Sequence, residues 1–153
     1  MKPMKIITTI AVFIILAGCA GPQKTANIND SDIPLGTTTI VAFTDLQPTQ
    51  AYKKTAQILQ NEGYVLDNTD ASLKTITTKP KHIHGHRGRM SLSVHVLEDG
   101  PETKVIFNGK VGIFEDQPSL KIEKTGQNRS LGREAWKEMY LVAKKLDGEL
   151  AYK

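Results

Sequence analysis

The sequence predicts an α+β fold. A single domain is expected, in which an antiparallel sheet of about five strands carries a shorter N-terminal helix and a long C-terminal helix on one face, in the order β-α-β-β-β-β-α. Three observations predict it. Apolar residues alternate with polar ones through residues 90–96 and again through 105–113, the signature of strands with one buried face. Apolar stripes of helical period lie before and after this pair, around Tyr52 and around Trp136. The composition is that of one ordinary globular domain, with 39% hydrophobic and 24% charged residues, 12 Gly and 7 Pro, which excludes collagen-like, heptad-rich and multi-pass membrane classes.

The elements follow in order. Residues 38–43 (TTIVAF) are β-branched and short, a strand. Pro48 and Thr49 start a helix in which Tyr52, Ala56 and Leu59 recur on one face, Ile58 broadens the stripe and Gly63 supplies the C-cap. Residues 64–67 and 73–78 read as strands around the turn-forming Asn68, Thr69 and Asp70. Met90, Leu92, Val94 and Val96 then face Val105, Phe107, Val111 and Ile113 across a turn at residues 98–102. Asn108-Gly109 is itself a hairpin signal, but only an uninterrupted strand keeps that second apolar set on one side. Finally Ser130 caps a helix whose buried stripe is Trp136, Met139, Tyr140, Ala143, Leu146 and Leu150.

The N-terminus carries the clearest functional signal. Lys2 and Lys5 precede an apolar run over residues 6–16, followed by Ala17, Gly18 and Cys19, the three-part pattern of a secretory signal peptide. The run is well short of the roughly 20 residues that cross a hydrocarbon core. Leu16-Ala17-Gly18-Cys19 resembles the lipobox of bacterial lipoproteins. The resemblance implies that residues 1–18 are removed, that the Cys19 thiol receives a diacylglycerol, and that the mature chain begins there. Small residues before the cysteine let extended backbone enter a protease cleft, and a thiolate is nucleophilic enough to be alkylated. Two or three acyl chains exceed the two-signal requirement for stable membrane anchoring. Cys19 is also the only cysteine, which excludes an intramolecular disulfide, a CxxC redox pair and a cysteine zinc cluster. In Gram-negative lipoproteins an Asp after the cysteine commonly marks inner-membrane retention. Ala20 stands there, so the resemblance implies the cell outer membrane, with the domain facing the periplasm.

Residues 19–36, rich in Gly, Pro, Asn, Asp and Ser, read as the lipidated flexible tether, and 37–153 as the folded domain. Random-coil scaling holds such a domain about 20 to 25 Å from its anchor. Loss of Lys2 and Lys5 with the signal leaves 18 basic against 16 acidic side chains, where the full sequence has 20 against 16. A near-neutral exported domain gives no electrostatic reason to expect nucleic acid.

A second resemblance covers the pattern of the folded part. The helix around Tyr52, the run Glu62-Gly63-Tyr64-Val65, the acidic turn, Thr75-Ile76-Thr77-Thr78 and the closing helix look like the helix-grip modules of envelope lipoproteins, among them the C subunit of the outer-membrane β-barrel assembly machinery. Such modules mostly bind or scaffold, so the resemblance implies an envelope protein as partner. The basic stretch between Pro80 and Arg89 departs from the pattern.

That stretch, residues 79–89, is the chemically distinctive one. His82, His84 and His86, three of the four histidines, alternate and would point to one side of an extended strand. Imidazoles in that array suit zinc, nickel or copper. Full extension separates the outer pair by about 13 Å, so Gly85 must bend the chain for one ion to meet all three. Lys79, Lys81, Arg87 and Arg89 repel a divalent cation and suit phosphate or carboxylate groups instead, on an anionic lipid, a glycan or an acidic partner. A charged hairpin edge that blocks strand pairing is the third reading.

Trp136, Tyr140 and Tyr52 are expected to be packed core aromatics, with a small apolar ligand beside Trp136 as the alternative. No GxSxG, HExxH, phosphate-loop or paired-carboxylate motif is present, and the one cysteine is assigned to the anchor, so neither catalysis nor a cofactor beyond the covalent lipid is expected. The sequence therefore predicts an outer-membrane-anchored binding or scaffolding module, with a metal-binding lipoprotein as the alternative.

Overall fold

The computed structural model describes residues 33–85, 87–113, 120–125 and 131–153. Cys19, the tether as far as residue 32, His86 and the cap Ser130 lie outside the described residues. The chain runs β1 (Thr39–Thr44), α1 (Pro48–Asn61), β2 (Leu66–Asp70), β3 (Thr75–Thr78), β4 (Lys81–His82), β5 (Arg89–Asp99), β6 (Glu102–Gly112), β7 (Leu120–Lys121), α2 (Leu131–Lys144) and β8 (Glu149–Tyr152). The strands make one open antiparallel sheet in the order β2-β3-β5-β6-β1-β8, with β4 pairing β5 and β7 pairing β6 beside that path. No helix among the described residues is long and apolar enough to cross a membrane.

The α+β class and the single domain are as expected, but the sheet has eight strands among the described residues where about five were expected. β4 and β7 are two residues each, too short to show alternation. β8 replaces the expected end of the last helix. That helix stops at Lys144, Asp147 turns with φ 55, and Leu150 enters the sheet opposite Ala42. The two helices are equally long, 14 residues each, rather than short and long.

α1 ends as its sequence requires. Gly63 takes φ 78, Tyr64 N–H donates to the Leu59 carbonyl and Gly63 N–H to that of Gln60, a Schellman closure. The buried stripe is Ala51, Thr55 and Leu59, one position earlier than expected at its start. Thr55 is tolerated there because its hydroxyl donates to the Ala51 carbonyl at 2.7 Å. The turn expected at residues 68–70 falls instead at 71–74, where the Asp70 carboxylate accepts from Ser72 and Leu73.

The long hairpin β5–β6 is in register from Arg89↔Gly112 to Asp99↔Glu102, uninterrupted at Asn108-Gly109. Ile113 falls just beyond it and is half exposed. One face of the sheet presents Ile76, Met90, Leu92, Val94, Val96, Val105, Phe107, Ile40 and Ala42, which form a single core with Leu59 of α1 and Trp136, Met139 and Ala143 of α2. Ile33 belongs to the same core, and its carbonyl accepts from the buried Lys124 ammonium at 2.8 Å. The packed region thus includes residues that composition alone leaves in the tether. Ile40, Phe107, Val94 and Ile76 pair in one row beneath the helices, and Thr39, Asn108, Ser93 and Thr77 in the adjacent row on the opposite face.

Candidate functional site

The basic stretch folds as a docked hairpin. Lys81 pairs with Met90 and His82 with Arg89, and Ile83 N–H donates to the Gly88 carbonyl at 3.0 Å. Gly85 does bend the chain, with φ 77. Ile83 is buried in the core, and a Cβ on Gly88 would fall 2.2 Å from Leu131 Cδ1, so the first turn of α2 lies on the hairpin. Burial of Ile83 fixes the phase of the strand. Lys81 shares its direction, toward the helices, while His82 and His84 take the other and are exposed.

Lys81 is consequently committed. Its ammonium donates to the Glu62 carbonyl at 2.9 Å and to Glu138 Oε2 at 3.3 Å, and lies 4.4 Å from the Tyr64 ring centroid. Tyr64 donates its hydroxyl to the same Glu138 oxygen at 3.4 Å. Burial, and then the Glu138 carboxylate, push the Tyr64 phenol well above its ordinary value. This cluster ties α1, the hairpin and α2 together. It takes Lys81 away from any anion on the other face, where Arg89 sits with His82. Arg89 Nε donates to His82 Nε2 at 3.3 Å. A guanidinium on that nitrogen competes with a metal for its lone pair. Lys79 and Arg87 are exposed, and His86 lies outside the described residues. Among the described residues no three His, Cys, Asp or Glu side chains come together as a metal set.

The face away from the helices carries a cleft of about 500 Å³, lined by Thr77, Ser91, Ser93, Asn108, Lys110 and Lys121 over the backbone of Thr78, Leu92 and Gly109. It arises because short hydroxyl side chains occupy adjacent outward positions of β3 and β5. The longer Lys110 and Lys121, paired across β6 and β7, wall its end. Thr39 donates to Asn108 Oδ1 at 2.7 Å, which leaves the Asn108 amide hydrogens to serve the cleft. Among the described residues no carboxylate lines it. The cleft was not anticipated from sequence. Its signal is the pair Ser91 and Ser93, small where solvent-facing strand positions usually carry long polar side chains.

A second cleft of about 440 Å³ opens at the other end of the molecule beside Asp45, Lys54, Asp147 and Glu149, where Lys54 and Asp147 pair at 3.2 Å. Trp136 is 1% exposed, stands 6.4 Å from the Tyr152 ring and lines neither cleft. Its indole N–H has no partner among the described residues. No protein-family profile matches the chain, and no curated protein sequence does.

Proposed function

We propose that this is an envelope lipoprotein, acylated at Cys19 and held at the outer membrane, whose periplasmic α+β domain binds or scaffolds and does not catalyse. The observation that carries this reading is the order of charge, apolar run and Leu16-Ala17-Gly18-Cys19 ahead of a polar tether. The fold is compatible with it. Both helices lie on one face of the sheet, and the opposite face carries the cleft over β3, β5 and β6, where a ligand or partner can reach it. Envelope proteins and anionic lipids or glycans fit a face with Arg89, Lys110 and Lys121 on it.

The reading is tested by fractionating cells that express the native chain or Cys19→Ala. The native protein is expected with the outer membrane and to need detergent for release. The variant is expected to be absent from the outer membrane and to retain its N-terminal segment. Native protein in the soluble periplasmic fraction contradicts the anchor.

A further inference from the structure

We propose that the cleft on the open face of the sheet is a binding site for a phosphate-bearing, hydroxyl-rich group, of the kind found on phosphorylated sugars and on glycerophospholipid headgroups. It deepens the binding-module reading and rests on it.

The lining chemistry points there. Thr77, Ser91 and Ser93 offer hydroxyls that make no hydrogen bond to any described residue, and Asn108 offers an amide NH2 whose oxygen is already engaged by Thr39. Lys110 and Lys121 add ammonium groups that pair with no carboxylate among the described residues. Donors therefore exceed acceptors, and among the described residues no carboxylate lines the cleft to repel an anion. Phosphate oxygens accept from ammonium and hydroxyl donors together, and charge-assisted bonds of this kind are about twice as strong as neutral ones. Ser and Thr hydroxyls both donate and accept, which matches the hydroxyls of a sugar or glycerol beside that phosphate. The volume lies within the about 300 to 1,000 Å³ of small-molecule sites. It exceeds what a lone phosphate fills.

The row is also preorganised. Thr77, Ser93 and Asn108 are held by direct strand pairing, Thr77↔Ser93 and Ser93↔Asn108, and Lys121 is fixed opposite Lys110. Rigid placement on strands lowers the ordering cost of binding. The Lys81 ammonium, turned to the other face by Glu138, takes no part.

The test uses the full acylated protein in a detergent without sugar groups, with amide resonances of Ser93 and Asn108 followed during titration. Glucose 6-phosphate and dihexanoyl phosphatidylglycerol are the probes, and glucose and dihexanoyl phosphatidylcholine the controls. Saturable shifts with at least one phosphate probe are expected, weakened tenfold or more by Lys110→Gln with Lys121→Gln. Lys53→Gln with Lys137→Gln, on the helical side, is expected to leave them unchanged. Saturation by the sugar phosphate assigns a soluble or glycan source, and saturation by the phosphatidylglycerol alone assigns the headgroup. Either supports the site. No saturable shift with either probe, equal binding of glucose, or undiminished binding by the Lys110 and Lys121 variant overturns it. The outcome is independent of the anchor. If Cys19→Ala fractionates like the native protein while the cleft still saturates, the anchor fails and the site stands.

Discussion

At the scale of single residues, Tyr64 and His82 show how the surroundings of a polar group decide what it does. The unfolded Tyr64 phenol ionises near about pH 10, whereas the folded one, buried and facing Glu138, holds its proton to higher pH. The native state therefore binds a proton that the unfolded state has released. This contribution to stability is complete below about pH 10 and declines as the pH rises above it, by about 1.4 kcal/mol per pH unit for the one group. Tyr64→Phe removes the dependence, so urea midpoints of native and variant chains should converge between about pH 9 and about pH 11. Parallel curves contradict the placement of the phenol. At His82, the guanidinium 3.3 Å from Nε2 leads to the expectation that zinc does not shift the melting temperature. A rise that Arg89→Ala enlarges would assign the hairpin to metal through His82, His84 and His86. Lys81 was legible as a cation in the sequence, but its direction was not, because that is set by Ile83 two residues later entering the core.

At the scale of elements, the register of the hairpin β5–β6 was legible because strict alternation and the turn residues point to the same pairing, although the turn is only Gly100-Pro101 and Ile113 lies beyond the strand. β8 was not. Leu150 continues the helical stripe of Met139, Ala143 and Leu146, so periodicity carried the last helix past its end. The stop lies in Asp147 with its positive φ and in Gly148, where a Cβ would fall 1.7 Å from the Phe43 carbonyl oxygen. Backbone cannot yield as a side chain does. Gly148→Ala is therefore expected to lower stability by about 3 kcal/mol or more, read from the urea midpoint, by forcing β8 off β1. An unchanged midpoint would contradict the close pairing of Ala42 with Leu150. α1 was read one position out of phase at its start for a related reason. Thr55 is polar in sequence but satisfied internally, so it packs as an apolar residue would.

At the scale of the whole molecule, the sequence reached the fold class and stopped short of the cleft on the open face. The two helices cover one side of the sheet because most long apolar strand positions point there, while Val41, Phe43 and Ala151 form a smaller buried cluster with Ile106 on the opposite face. The other side has no apolar pattern to read at the cleft. Its hollow comes from three strands placing Thr77, Ser93 and Asn108 side by side, a neighbourhood that exists only after pairing. The arrangement separates the roles in space. The helical side and the Tyr64, Lys81 and Glu138 cluster hold the domain together, while the side with the cleft is the one proposed for contact. The proposed role of that face at a membrane depends on the anchor. The most direct measurement is the intact mass of the protein extracted from membranes, for the native chain and for Cys19→Ala. A native mass that begins at Cys19 and carries two or three acyl chains, with the variant uncleaved and unacylated, is the predicted result. A native protein without added acyl mass would contradict the account.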